Sequence, residues 1–271
     1  MLQRQISDEQ LETMQRIKQF SRAFKVFELD EYLPSADNAR HAHTPKDMLT
    51  ALRTGLSFVD RFVVSTEALA DAFSGLHGDI RVIETRLPLE GWKELSSQRQ
   101  RGRKPRVGWA GSIHHAGNLE LIADVVKALA QEVEWVFLGG CPDTIRPYVH
   151  EVYEGVDIAR YPQALAALDL DLALEPLEQS VFNDCRSNLR LLEYGACGFP
   201  VVCSDLRPYQ GDLPVTRVKN RFDDWVEAIR MHINDLDASA RMGDQLQAKV
   251  LNEWMLEGDN LNAWRWAWMA N

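Results

Sequence analysis

Hydrophobic and polar positions alternate along this chain in two periods. The stretch SDEQLETMQRIKQF repeats apolar residues at helical spacing. It opens on Ser7 followed three residues later by Gln10, the spacing of a reciprocal N-terminal cap. FKVFEL, from Phe24 to Leu29, predicts a strand that ends at Asp30 and Glu31, and a polar loop, YLPSADNARHAH, follows. Thr44, Pro45, Lys46 and Asp47 predict a second capped helix, with proline at its first position, running to about Asp60. RFVVST, TEALADAF and DIRVIE then read as strand, helix and strand. Helices alternating with strands imply parallel strands joined by crossovers.

The apolar pattern stops between Glu94 and Arg106. ELSSQRQRGRKPR is polar, basic and broken by glycine and proline, and it predicts a solvated interdomain linker. From Val107 the alternation resumes. VGWAG, EWVFLGG, LDLALEPL, PVVCS and VTRVK predict strands, with a weaker strand in VYEGVDIARYP. LELIADVVKALA, QALAAL and SNLRLLEYGACG predict the helices between them, and DTIRPY a single helical turn. Helices from RFDDWVEAIRMHI to the end complete the chain. The expected organisation is a partial N-terminal α/β domain over 1–93, a linker over 94–105, a Rossmann-like domain over 106–235, and helices over 236–271 that pack back toward the N-terminal half.

Composition narrows the function classes. The chain has 271 residues, 45% of them hydrophobic, which is ample for a core. Its formal charge of −10 argues against a general nucleic-acid binder, which needs basic surface to neutralise phosphates. Cys141, Cys185, Cys197 and Cys203 form no Cys-x-x-Cys pair and have no histidine at zinc-ligand spacing. They read as reduced, mostly buried thiols. No apolar run reaches the length of a membrane span, and MLQRQISDEQLETMQ is too polar for a signal peptide. A cytoplasmic protein is expected.

Two stretches can carry chemistry. VGWAGSIHHAGNLELI places Gly111 and Ser112 between a strand and a helix N-terminus, where backbone N–H groups form an anion site. It lacks the glycine spacing of a dinucleotide fingerprint and the Gly-Lys-Ser/Thr of an ATPase phosphate loop. His114 and His115 read either as phosphate donors or as surface residues. FNDCRSNLRLLEYGACGFPVV places Arg186 and Arg190 at the start of a buried helix, one turn apart and so on one face. Cations there oppose the helix dipole unless an anion sits between them and the free N–H groups. The plainer alternative is a surface ion pair of Arg190 with Glu193. Asp30 and Glu31 end a strand where a cleft would lie, His41 and His43 sit in a polar loop, and Trp264 and Trp268 share a helical face suited to core packing.

SNLRLLEYGACGFPVVCSD resembles the donor-site segment of the retaining GT-B glycosyltransferases, the large group 1 or family 4 class. GWAGSIHHAGNLELI is similar to the first strand–loop–helix of their C-terminal domain. VDRFVVSTEALADAF and IRVIETRLPLEGW resemble the end of their N-terminal domain. FNDCRSNLRLLEY fits the bacterial subgroup of cell-surface polysaccharide synthesis, which includes O-antigen and other cell-envelope glycans. The resemblance runs from about Phe24 to Asp235. It implies two Rossmann-like halves and transfer of a sugar from a nucleotide-sugar donor to a glycan or lipid-linked acceptor, without a metal or other cofactor. Glu193 would grip the ribose. Arg186 and Arg190 would meet the donor diphosphate, and Ser187, Asn188 and Leu189 would offer N–H groups. Gly111, Ser112 and His115 would approach the phosphates, Tyr161 the nucleobase, and Asp30 would contact the acceptor or act as a base. A place at the inner face of the cell membrane is compatible with such acceptors.

Two departures stand out. Eight residues before Glu193, where the family has an acid that holds the donor hexose, stands Cys185, with Asp184 and Asn183 beside it. The N-terminal half is also short: the expectation is a piece of a longer protein with additional domains, a reduced acceptor site, or a partner chain that completes it. A non-catalytic binding or scaffold module of the same architecture, and more distantly a nucleotide-sugar epimerase, are the alternatives.

Overall fold

The computed structural model describes residues 2–3, 6–32, 45–95, 98, 102–112 and 117–270, with 2–3 and 45–47 described by backbone alone. The chain divides into two compact units. The first is Met1–Thr85 with Ser180–Ser187 and Glu257–Asn271, and the second is Arg86–Gln179 with Asn188–Leu256.

The first unit is a parallel four-stranded sheet in the order β1 (Leu2–Gln3), β2 (Val26–Leu29), β3 (Arg61–Val64), β4 (Ile80–Val82). Its helices are α1 (Asp8–Phe20), α2 (Pro45–Leu56), α3 (Glu67–Ala72), α8 (Val181–Asp184) and α12 (Gly258–Trp268). The capping pair forms as the spacing predicts. The Gln10 N–H donates to Ser7 Oγ at 3.4 Å and the Ser7 N–H to Gln10 Oε1 at 2.9 Å. Phe27, Leu29, Phe62, Val64, Leu52, Leu56, Leu69 and Phe73 form the core. Every residue of β3 is buried, as expected for a strand covered on both faces.

Arg61 opens that strand and is itself buried. Its Nε donates to Asp79 Oδ2 at 2.8 Å, and its Nη1 donates to the carbonyls of Trp266, Ala267 and Met269 at 3.1, 2.9 and 2.8 Å. A cation thus meets the C-terminal carbonyls of α12, where the helix dipole is negative. The Arg81 guanidinium lies 3.7 Å from the centre of the Trp266 ring. Trp264 and Trp268 do share a face, with ring centres 5.1 Å apart. Trp268 packs with Val26, Val63 and Ala267, while Trp264 is exposed.

The second unit is a parallel six-stranded sheet in the order β10-β9-β8-β5-β6-β7. The strands are β5 (Arg106–Ala110), β6 (Glu134–Leu138), β7 (Glu151–Tyr153), β8 (Leu172–Glu175), β9 (Val201–Ser204) and β10 (Thr216–Val218). The helices are α4 (Leu89–Trp92), α5 (Gly117–Glu120), α6 (Ala123–Leu129), α7 (Tyr161–Ala166), α9 (Leu189–Ala196), α10 (Phe222–Asn234) and α11 (Leu236–Glu253). Alternate residues feed two cores. Ala110, Val136, Leu138 and Ala173 join one, and Trp109, Trp135, Phe137 and Leu174 the other. The result is an α/β chain with two Rossmann-like halves, each built on a parallel sheet.

Three boundaries differ from expectation. The division falls at Thr85/Arg86, because residues just after it join the second unit. The Leu87 N–H donates to the Trp254 carbonyl at 3.0 Å and the Leu256 N–H to the Leu87 carbonyl at 2.8 Å. The described part of the basic segment is also docked there. The Gln98 N–H donates to Asp169 Oδ1, Arg103 Nη2 to the Asp169 carbonyl, and Arg106 grips both oxygens of Glu151 at 2.7 and 2.9 Å. Among the described residues, Arg103 and Arg106 thus find acids at the N-terminal edge of the sheet and are docked rather than solvated. Of the C-terminal helices, only the segment from Glu257 onward joins the first unit. α11 packs on α9, where a Cβ on Gly195 would meet Leu246 and Val250 within 3 Å. Among the described residues no helix is long and apolar enough to cross a membrane.

Candidate functional site

In the second sheet the chain runs outward from β5 to β7, then returns to add β8, β9 and β10 on the other side of β5. The crevice at the C-terminal ends of β5 and β8 is therefore the topological switch point, where open α/β sheets bind ligands. The two strands pair only at Val107↔Leu172 and Gly108↔Ala173, so they are unpaired beyond those residues. On the other side of β5 the sheet is tight. The Gly111 N–H donates to the Leu138 carbonyl at 2.9 Å, and a Cβ on Gly139, whose φ is +93°, would collide with the Gly111 carbonyl oxygen. Gly111 is buried and Ser112 is exposed.

α9 crosses from the β8 side to β9, so its N-terminus faces the C-terminal edge of the sheet. It starts at Leu189, with Asn188 as N-cap, no side-chain capping bond and no acid in its first turn. Its dipole and first N–H groups are left to other partners. Arg186 and Ser187 precede the helix and belong to the first unit. The expected pairing of Arg186 and Arg190 on one helical face is therefore not found, since the helix begins two residues later than its sequence suggests.

Arg190 instead engages Glu193 and Tyr161. Its Nη1 donates to Glu193 Oε2 at 2.7 Å and also to the Tyr161 hydroxyl, which lies 3.4 Å from the same Oε2. The ion pair is not the surface pair that the spacing allows, because the two side chains are only 20% and 10% exposed. Burial opposes the Arg190 charge most strongly, but Glu193, Tyr161, Tyr194 and Glu175 together outweigh it and hold the guanidinium above its ordinary range. Burial pushes the Glu193 carboxyl upward while Arg190 pulls against it. Burial also pushes the Tyr161 phenol up, so it stays neutral and keeps its proton to donate. All contacts converge on Nη1 and Oε2. Among the described residues, Arg190 Nε and Nη2 and Glu193 Oε1 make no hydrogen bond, and none of these three atoms is fully shielded. Tyr161, the first residue of α7, also stacks edge-on against Trp92 at 6.0 Å.

Other expected residues are dispersed. Asp30 is half-buried at the end of β2 in the first unit, where its backbone carbonyl accepts from the Ser65 hydroxyl. Asn183 is buried in α8, capped through Ser180. Cys185 is buried in the first unit's hydrophobic core, and its carbonyl accepts from the Thr66 hydroxyl at 3.0 Å. His114, His115, His41 and His43 lie outside the described residues. None of the four cysteines is in a disulfide. Among the described residues no group of three or more His, Cys, Asp or Glu is placed to hold a metal ion.

Sequence reasoning missed Tyr194. It is fully buried on α9, and its hydroxyl accepts the Ala110 N–H at 2.9 Å. A tyrosine inside an apolar helix was the available signal, because a buried phenol needs a partner.

No family model matches the chain, and no curated protein matches it. Solved structures do, and they are GT-B glycosyltransferases at low identity. TarM matches at 14% identity and a TM-score of 0.67, over 92% of this chain and 51% of TarM. Sucrose-phosphate synthase from Thermosynechococcus elongatus matches at 14% and 0.68, over 95% and 70%. Anabaena HepE in complex with UDP and glucose matches at 15% and 0.70, over 97% and 76%. The chain thus spans about half the length of TarM, and the likeness is one of fold.

Proposed function

We propose that this chain binds a nucleotide-sugar donor in its second unit and transfers the sugar, with retention and without a metal, to a glycan or lipid-linked acceptor. The observation that carries the reading is the Arg190–Glu193 pair at the uncapped start of α9, beside the switch-point crevice, with unused polar atoms on both partners. Glu193 Oε1 is free to accept from ribose hydroxyls, and Arg190 Nε and Nη2 to donate to a diphosphate. HepE and S. aureus TarM with UDP bound share the fold, which supports UDP as the nucleotide to try first.

In the reaction the bond from the sugar's anomeric carbon to the diphosphate oxygen breaks, and the diphosphate leaves with the electron pair. Arg190, the α9 N-terminus and the segment at Ser112 would stabilise that charge. The acceptor hydroxyl forms the new bond on the face that the diphosphate leaves, and its proton passes to the departing phosphate. The acceptor belongs, on this reading, to bacterial envelope glycan synthesis.

One observation favours a second reading, a binding module without transfer. Cys185 is locked in an apolar core, so the acid that would hold the hexose is replaced by a residue with no such role. Incubation with UDP-sugars and a panel of glycan and lipid-linked acceptors separates the two. Sugar transfer or donor hydrolysis supports the enzyme. UDP binding with neither supports the module.

A further inference from the structure

We infer that Tyr194 is a positioning residue that holds the donor-facing end of β5 through its hydroxyl; this rests on the donor-site reading above. Beyond Gly108 the edge of β5 toward β8 has lost its ladder partner. At Ala110, the last residue of that strand, the Tyr194 hydroxyl stands in for it. It accepts the Ala110 N–H at 2.9 Å and lies 3.5 Å from the Ala110 carbonyl, to which it donates. Ala110 and Tyr194 are both completely buried, so no water substitutes for either bond. On the opposite side of the strand, Gly111 is tied to Leu138 and pressed against Gly139.

The turn that carries Gly111 and Ser112 is thus clamped on both sides, by the β6 backbone and by one side chain from α9. Tyr194 follows Glu193 directly in sequence. The same helix therefore sets the proposed ribose contact and the proposed phosphate-facing turn, and fixes their separation. Burial keeps the Tyr194 phenol protonated, so its donor and acceptor roles persist across ordinary pH. A phenylalanine fills the same volume but leaves the Ala110 N–H and carbonyl buried without partners.

The test compares wild type with Tyr194→Phe, with Ile229→Val as a core control on α10. UDP affinity is measured by calorimetry, and amide exchange of Ala110, Gly111 and Ser112 is followed in the ligand-free protein. The expected result for Tyr194→Phe is a UDP Kd raised about tenfold and faster exchange at those amides, while α9 amides keep their protection. Ile229→Val should leave both readouts unchanged even where it lowers the melting temperature. Wild-type UDP affinity or unchanged exchange in Tyr194→Phe overturns the inference and leaves the donor site standing. Wild type that binds no nucleoside diphosphate overturns the donor-site reading, and this inference with it.

Discussion

Arg190 and Glu193 meet at 2.7 Å one turn apart on α9, and every bond between them and Tyr161 uses a single guanidinium nitrogen and a single carboxylate oxygen. On the proposed reading the pair is half of a site rather than a closed structural bridge. Arg190→Lys retains a cation for Glu193 but loses the planar fork that spans carboxylate and phosphate together. Donor turnover should fall about tenfold or more with little change in melting temperature. Arg190→Ala should show the same kinetic loss and also a lower melting temperature, because Glu193 is left buried without its partner. Initial rates and thermal melts check both variants, and a fully active Arg190→Lys contradicts the role.

Cys185 contributes to the first unit's hydrophobic core. Cys185→Ser should cost about 1–3 kcal/mol of stability by placing a hydroxyl among apolar side chains. The affinities for UDP and for a UDP-sugar should then change by the same factor, or not at all. Urea unfolding with parallel titrations of the two ligands gives the comparison.

Arg61 anchors the last helix through three carbonyls. Arg61→Ala should destabilise the first unit by about 3 kcal/mol, the order expected for losing hydrogen bonds from a buried charge. Cleavage by a nonspecific protease should move into Glu257–Asn271. Arg81→Ala, which loses a contact to Trp266, should do the same more weakly. Limited proteolysis followed by mass spectrometry locates the cut.

His232 is buried between the Thr216 and Ser239 hydroxyls, at 2.9 and 2.7 Å. Burial lowers its pKa below the ordinary 6.5. The unfolded chain therefore takes up the proton first as pH falls, so stability is full above 6.5 and declines below it. His232→Gln should flatten that decline. Urea midpoints measured between neutral and mildly acidic pH test the difference in slope.

Local chemistry was the legible part. The Ser7–Gln10 cap, the order of helices and strands, and the strand–turn–helix at Gly111 follow from residues a few positions apart. β1 was missed because two residues carry no period; Leu2 and Gln3 are a strand only because they pair with Phe27 and Glu28. RFVV read only as a strand, because the acceptors that explain a buried Arg61 begin 205 residues later. The polarity of the segment before Arg106 reads as solvation until Asp169 and Asp171 supply partners for Gln98 and Arg103. At the site, Arg190 and Glu193 were legible as a spaced pair. Their burial, the Tyr161 hydroxyl and the Tyr194 clamp depend on packing between helices and a strand distant in sequence.

Calorimetric titration of UDP into wild type and Glu193→Gln tests the central claim most directly. The account predicts one saturable site in wild type, weakened about tenfold or more when the carboxylate is neutralised and Arg190 loses its ionic partner. No binding to wild type, or equal affinity in the two proteins, would contradict it.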